Sequence, residues 1–243
     1  MQQLFFEVNP QASLAVKQVG RARTPVIVID DFAADPQPLI RYAAEQVSFG
    51  ADDTSMYPGV RAALPRDYVI TVLQQLQVLL RQVYRVPNEL RMRPVNTVFS
   101  LITTPESDLS ARQRSPHFDS NRPFYLALLH YLNEGGFCDT GLFRHLETGL
   151  ERIIGDDVER YVRARELYRE QHGPPDRAYV KGSNAEFELY ERLEYRANRL
   201  AVYPGYLLHS GLVDPAVDID PHPATGRLTA NIFIDFFPAG GNR

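Results

Sequence analysis

The chain has 243 residues, of which 44% are hydrophobic, and this length is sufficient for one well-buried core. Its 26 basic and 30 acidic side chains give a net charge of -4 and form no long block, which argues against a general attraction to nucleic acid or to anionic membranes. No run of roughly eighteen apolar residues occurs, and residues 1–7 lack a basic flank followed by an apolar stretch, so we expect a cytoplasmic protein without a membrane span.

The sequence of the first ninety or so residues predicts one strand and helices that support the fold. Residues 26–32 form a short β-branched run, which is typical of a strand. Residues 36–46 and 67–84 place their apolar side chains at helical intervals, and turn-forming residues follow the second of these segments. We therefore predict an N-terminal strand and supporting helices within residues 1–91.

The pattern changes near residue 91, where strand-like runs begin. Proline, glycine and asparagine separate these runs, which lie at residues 95–103, 125–132, 141–145, 200–208 and 227–237. Several such strands in one part of a chain suggest an antiparallel sandwich or a jelly roll. The charged stretch 148–198 predicts helices around a Gly-Pro-Pro break, and we interpret it as a helical insertion that covers the mouth of the barrel.

The candidate metal ligands are histidines and carboxylates. Cys138 is the one cysteine, so the chain has neither an internal disulfide nor a CxxC metal cluster, and we expect Cys138 to be a small buried residue. His117 and Asp119 stand two positions apart, so on an extended segment both side chains point to the same face and can bind one ion. His145 and Glu147 have the same spacing and form a competing pair, which we interpret as a surface pair.

Further candidate residues follow along the chain in a fixed order. Tyr131 lies near the end of the run 125–132, and His209 directly follows the apolar run 200–208. Arg227 and Thr229 share one face of the next predicted strand, and a guanidinium beside a hydroxyl is a natural receptor for a carboxylate. Two histidines and one carboxylate on one face of an octahedron leave three positions open, as in non-haem iron(II) oxygenases.

This order of motifs resembles the iron(II)- and 2-oxoglutarate-dependent dioxygenase superfamily, in its prolyl-hydroxylase-like branch. The matching features are an HxD pair, a strand ending in Tyr-Leu-Asn, a distal histidine after an apolar strand and turn, and an arginine opening the next strand. The resemblance covers roughly residues 92–238. It implies a mainly β fold with helical support, of the α+β class. The expected core is a double-stranded β-helix (jelly-roll, cupin-like) at 92–238, with the helical insertion 148–198 inside it. The whole chain, 1–243, would form one domain.

The resemblance also implies the roles of the site residues. His117, Asp119 and His209 would be the catalytic centre and bind Fe(II). Arg227 would bind the distal carboxylate of 2-oxoglutarate, with Tyr131 donating its hydroxyl to the same carboxylate and Thr229 beside it. Dioxygen would be the second cosubstrate.

The expected activity is hydroxylation of an unactivated C–H bond in a small-molecule or peptidyl substrate. Halogenating members of the superfamily lack the carboxylate ligand, so the presence of Asp119 favours hydroxylation or a related oxidation. Two alternatives stay open: a non-catalytic cupin-like binding module, and a cupin metalloenzyme that does not use 2-oxoglutarate. The sequence identifies neither the substrate nor the oligomeric state.

Overall fold

The structure, a computed structural model, describes residues 6–52 and 56–238. Its strands and helices follow one another in the order β1 (Ser13–Val19), β2 (Thr24–Asp30), α1 (Gln37–Glu45), β3 (Gly50–Ala51), β4 (Gly59–Ala63), α2 (Arg66–Tyr84), β5 (Leu90–Ile102), β6 (Leu126–Tyr131), β7 (Thr140–His145), α3 (Asp157–His172), β8 (Phe187–Leu193), β9 (Leu200–Pro204), β10 (His209–Gly211), α4 (Pro215–Asp218) and β11 (Thr229–Pro238).

The strands form two antiparallel sheets. The larger sheet has eight strands in the order β1-β2-β9-β6-β11-β5-β4-β3, and the smaller has three in the order β10-β7-β8. All the strand ladders among the described residues are antiparallel. The predicted class, mainly β with helical support, is therefore confirmed.

The two faces of the large sheet have different chemistry. Successive side chains of a strand point to opposite faces, and in β11 Ala230, Ile232 and Ile234 join the core under the helices. Thr229 and Asn231 point to the other face, which looks toward the small sheet. The alternation of side chains along the strand therefore places apolar residues on the outer face and polar residues on part of the inner face.

Helices α1 and α2 cover the outer face. Buried side chains of α2 recur at three- and four-residue spacing, at Val69, Val72, Leu73, Leu76 and Leu80, which is the apolar stripe of an amphipathic helix. The helix ends at Arg85, whose left-handed backbone stops the α-helical hydrogen bonding. Both predicted N-terminal helices are confirmed within about a residue at each end.

The N-terminal region contains more strands than the sequence predicted. Four strands occur before residue 64 instead of one, and β5 runs across the predicted boundary between residues 91 and 92. Strand β1 escaped prediction because it lies at the edge of the sheet with six of its seven residues exposed, so it lacks an apolar alternation. The first ninety residues therefore extend the large sheet as well as supporting it.

The prediction that residues 148–198 are helical is wrong in part. This stretch contains α3, but it also contains β8, an edge strand of the small sheet. Most of β8 is at least partly exposed to solvent, so its sequence is rich in charged residues and resembles a surface helix. Helix α3 packs behind the small sheet through Tyr161 and Val158.

Candidate metal centre

The structure brings His117, Asp119 and His209 together across two chain segments. His117 and His209 form an antiparallel bridge, in which each backbone N–H donates to the other residue's carbonyl at 2.9 and 2.8 Å. The N–H of Asp119 donates to the Gly205 carbonyl at 2.7 Å. Backbone pairing therefore fixes all three side chains beside one another.

The three side chains converge on one point. Their candidate ligand atoms all lie within 4.8 Å of one another, and no other group of three or more such residues occurs among the residues that the structure describes. Asp119 Oδ1 lies 3.8 Å from His117 Nε2, and Asp119 Oδ2 lies 3.7 Å from His209 Nε2. His209 Nδ1 lies 2.9 Å from the Leu207 carbonyl, so it carries the proton and leaves Nε2 available as a ligand.

The electrostatics of the cluster favour a bound cation. Burial, together with the charges of His209 and Arg61, lowers the pKa of His117 to about 3, so the imidazole is neutral at physiological pH. Burial raises the pKa of Asp119, because little solvent reaches its carboxylate. A metal ion would stabilise that carboxylate and accept the neutral imidazole nitrogen.

Two neighbouring residues hold the candidate ligands in place. Phe118, between two of the ligands, packs edge-on against Tyr161 of α3, with ring centroids 6.0 Å apart. Gly205 lies so close to the site that a Cβ atom there would meet a Tyr125 ring carbon at 2.5 Å and the Asp119 Cβ at 3.2 Å. The bend at Gly205 therefore needs a residue without a side chain.

The candidate ligands line a cavity of about 330 Å³ between the two sheets. Side chains of the inner face form its floor, among them Asn96, Thr229, Asn231 and Phe233. Tyr203 forms part of the wall, and its ring centroid is 5.0 Å from that of His209. The size fits a small polar ligand.

Arg227 lines the same cavity and is only 4% exposed. Its Nε donates to the Cys138 carbonyl at 3.0 Å, and its guanidinium lies 5.4 Å from the Tyr131 ring centroid and 5.5 Å from that of Tyr195. Within residues 6–52 and 56–238, no carboxylate forms an ion pair with it. Arg227 is thus a buried cation that lacks an anionic partner within the described chain.

The remaining predicted site residues lie on either side of the cavity wall. Thr229 contributes to the lining, whereas Tyr131 stands one layer behind it. The Tyr131 hydroxyl is hydrogen-bonded to Thr140 Oγ1 at 3.0 Å, and Thr140 reaches the cavity. Arg227 and Thr229 therefore join the metal cluster in one cavity, while Tyr131 supports Arg227 through its ring.

A comparison with known families now identifies the chain. Residues 10–234 match DUF6445, described as a family of unknown function. The chain belongs to the DUF6445 family. No curated protein sequence matches it at a significant level.

The DUF6445 chain is also similar to solved structures of two Streptomyces proteins. One is HygX from Streptomyces hygroscopicus with nickel and 2-oxoglutarate bound, at 12% identity, covering 87% of this chain and 83% of that one, with a TM-score of 0.46. HygX with nickel, 2-oxoglutarate and hygromycin B bound gives 13% identity, coverages of 90% and 87%, and a TM-score of 0.46. AviO1 from Streptomyces viridochromogenes Tue57 gives 12% identity, coverages of 96% and 91%, and a TM-score of 0.42.

The competing pair of the DUF6445 protein, His145 and Glu147, is not the surface pair that we expected. His145 is fully buried, with Nδ1 hydrogen-bonded to Thr148 Oγ1 at 2.8 Å and Nε2 3.7 Å from Glu186 Oε1. Glu147 is exposed. Cys138 is buried, as predicted.

Two cavity residues of the DUF6445 protein were missed in the sequence. Arg61 lies on β4, a short strand that the sequence did not predict. Asn231 follows Thr229 by two positions, so strand alternation would have placed it on the same face. One amide atom of Asn231 is 2.8 Å from Ser100 Oγ, and the other, buried, has no hydrogen-bond partner among the described residues.

Two expectations about the surroundings of the site can be compared with the structure. The insertion was interpreted as a cover for the barrel mouth, but its helix α3 contributes no cavity-lining residue, and Tyr179 is the contribution from residues 148–198. In residues 6–52 and 56–238, no helix is both long enough and apolar enough to cross a membrane.

Proposed function

We propose that this DUF6445 protein is an iron(II)- and 2-oxoglutarate-dependent oxygenase that hydroxylates a C–H bond of a small-molecule or peptidyl substrate. One observation carries the proposal: a His-Asp-His cluster and a buried arginine without a carboxylate partner line the same cavity. The His-Asp-His cluster would hold the metal that the 2-oxo acid end of the cosubstrate chelates, and the arginine would bind the carboxylate at its far end.

The donor set fits iron(II). Two neutral imidazoles and one carboxylate on one side of an ion leave open positions for further ligands, which is the arrangement of non-haem iron oxygenases. His117 and His209 each present Nε2 toward Asp119. The Leu207 carbonyl fixes the tautomer of His209 that a metal requires.

The part of the cavity lined by Arg227 and Thr229 fits the far carboxylate of 2-oxoglutarate. A guanidinium buried without a counter-ion is costly, and an anionic ligand removes that cost. Arg227 offers a planar fork for a carboxylate, and the Thr229 hydroxyl lies two residues away on the same wall. The Cys138 carbonyl and the tyrosine rings under the guanidinium hold Arg227 in position before the ligand binds.

Each residue then has a defined task. Bound iron(II) and 2-oxoglutarate supply the oxidation, in which dioxygen and 2-oxoglutarate become succinate and carbon dioxide while one oxygen atom enters the substrate C–H bond. Asp119 contributes the negative charge among the three ligands, and Arg227 with Thr229 orients the diacid. Tyr203 and Phe233 line the cavity and reduce the access of water to the reacting groups.

Anaerobic absorption spectroscopy tests the proposal. Purified protein is mixed with iron(II) and 2-oxoglutarate, and the visible band of the chelate is recorded for the wild type and for His209→Ala and Arg227→Ala. We expect the band in the wild type, its loss in His209→Ala, and a 2-oxoglutarate requirement raised roughly 10–100-fold in Arg227→Ala, because charge-assisted hydrogen bonds each contribute about 1.5–3 kcal/mol. The exposed residues His222 and Arg91 provide matched controls, as His222→Ala and Arg91→Gln.

Two other outcomes would support the alternatives. Iron binding without a 2-oxoglutarate band would favour a cupin metalloenzyme that uses another cosubstrate. A wild-type protein that does not bind iron would favour a non-catalytic binding module. Once a substrate is known, Asp119→Ala should abolish hydroxylation, and hydroxylation at the wild-type rate would exclude Asp119 as a ligand.

A further inference from the structure

The cavity contains a second arginine, Arg61, which has no task in the proposed chemistry. Its side chain is 11% exposed and lines the cavity. In the sheet, Arg61 lies opposite Ser100, which lies opposite Thr229 on the other side. Arg61 is thus on the same inner face as Thr229, two strands away, so their backbones are roughly 10 Å apart.

The guanidinium of Arg61 is only partly satisfied. Its Nη1 donates to Asp52 Oδ2 at 3.0 Å. Its Nε is buried and has no hydrogen-bond partner within the described chain. The Tyr57 ring centroid lies 4.9 Å from the guanidinium carbon and so supports one face of the group. Asp52 therefore uses one hydrogen-bonding position of the guanidinium, while the Nε–H has no acceptor within the described chain.

Arg61 is close enough to the metal cluster to act on it. Burial dominates the pKa shifts of His117 and Asp119, and the positive charge of Arg61 acts on both residues. Arg227 already accounts for the distal carboxylate of 2-oxoglutarate in the proposed function. A second cation near the metal cluster is therefore available to a different molecule.

The chemistry around Arg61 favours a carboxylate over a phosphate. A carboxylate is planar and matches the two parallel N–H bonds of one guanidinium edge. A phosphate monoester would bring about -1.5 to -2 charges close to the carboxylates of Asp52 and Asp119. The cavity of about 330 Å³ also has to hold the cosubstrate, so the part of the substrate that enters is small.

From these observations we infer that Arg61 binds a carboxylate of the primary substrate, which is therefore a small organic acid or an amino acid with a free carboxylate. This inference rests on the proposed function for the role of the neighbouring metal site. It assigns Arg61 to substrate recognition, separate from the cosubstrate contact made by Arg227.

Calorimetric titration tests the inference without a known substrate. The protein is loaded anaerobically with iron(II) and saturating 2-oxoglutarate and then titrated with acetate, benzoate and hippurate, each beside its neutral amide. We expect at least one acid to bind while its amide does not. In Arg61→Gln the affinity for that acid should fall roughly tenfold or more, and Arg61→Lys, which keeps the charge without the planar fork, should fall between the two. Arg91→Gln removes one exposed positive charge and serves as the control.

Several results would overturn the inference. These are equal binding of an acid and its amide, binding unchanged in Arg61→Gln, a loss found in Arg227→Gln instead, or no binding of any acid to the wild type. The proposed function fails separately, if the wild type shows no iron–2-oxoglutarate band. Binding of the acids to metal-free protein that depends on Arg61 would then still support an anion site at this residue.

Discussion

Phe118 connects helix α3 to the metal cluster, and its truncation should weaken metal binding. The residue stands between His117 and Asp119, and its ring packs against Tyr161 in the apolar cluster behind the small sheet. Without that ring, the segment that carries two of the three ligands loses its anchor. Phe118→Ala should therefore lower metal affinity roughly 10–100-fold, the usual effect of removing a group that orients ligands.

The size of the effect follows from burial. Truncation of a fully buried phenylalanine costs about 3–5 kcal/mol. Phe118 is half-buried, so we expect the free energy of unfolding of the metal-free protein to fall by about 2 kcal/mol. The loss of metal affinity comes in addition, because the backbone hydrogen bonds of His117 and Asp119 remain but the segment between them loses the ring packing that limits its movement.

Metal titration by calorimetry, together with urea unfolding, measures both effects. Phe124→Ala is the matched control, because Phe124 is also half-buried and packs edge-on against another aromatic ring, Phe236, at 6.5 Å. It lies against the helical core and not behind the ligands. We expect similar destabilisation in the two variants but weaker metal binding only in Phe118→Ala. Unchanged metal affinity in Phe118→Ala would refute the reasoning.

Three further predictions address the bend, the core and a buried ion pair. Gly205→Ala should weaken metal binding in the same titration, because its Cβ would lie 3.2 Å from the Asp119 Cβ, while Gly182→Ala, in open space, should have no effect. Burial lowers the pKa of His130 to about 4, whereas a histidine in the unfolded state has a pKa of about 6.5, so the unfolded state takes up this proton first as the pH falls. Urea unfolding should therefore show a stability loss of about 3 kcal/mol by pH 4 from this residue. The variant His130→Gln should remove that part of the pH dependence. Glu151→Ala leaves the buried Arg144 with the partly exposed Glu188 as its remaining carboxylate and removes the acceptor of the Arg21 and Ala22 N–H groups, so it should lower the free energy of unfolding by about 3 kcal/mol, and a loss below about 1 kcal/mol would contradict this.

The sequence was sufficient where local pattern and tertiary structure agree. The apolar stripe of α2 repeats over nineteen residues, so its helix could be predicted closely. The candidate ligands could be proposed because His117 and Asp119 lie on one extended segment and His209 follows an apolar run. The structure brings the three together, although His209 begins strand β10 instead of ending the run before it, because Pro204 and Gly205 turn the chain.

The sequence was insufficient where a residue acts through distant neighbours. Arg61 lies on a five-residue strand without alternation, and only pairing with β5 brings it to the cavity. The Tyr131 hydroxyl was expected at the cosubstrate, but its hydrogen bond to Thr140 depends on how β7 packs over β6. His145 was expected at the surface, but α3 covers it through Tyr161. In each case the deciding contact joins segments that are separate in the sequence.

The register of β11 links the cavity to the core. Because the side-chain period of a strand is two residues, a slip by one would bring Asn231 into the apolar core and turn Ile232 toward the cavity. The partner strand β5 has an irregularity in its pairing with β11. Asn96 and Pro94 lie opposite the consecutive residues Phe233 and Ile234, and Val95, between them, is 53% exposed. Asn96 thereby reaches the cavity while Pro94 turns to the groove beside α2. The polar lining and the apolar core are therefore specified by the same pairing, and a change that shifts one must shift the other.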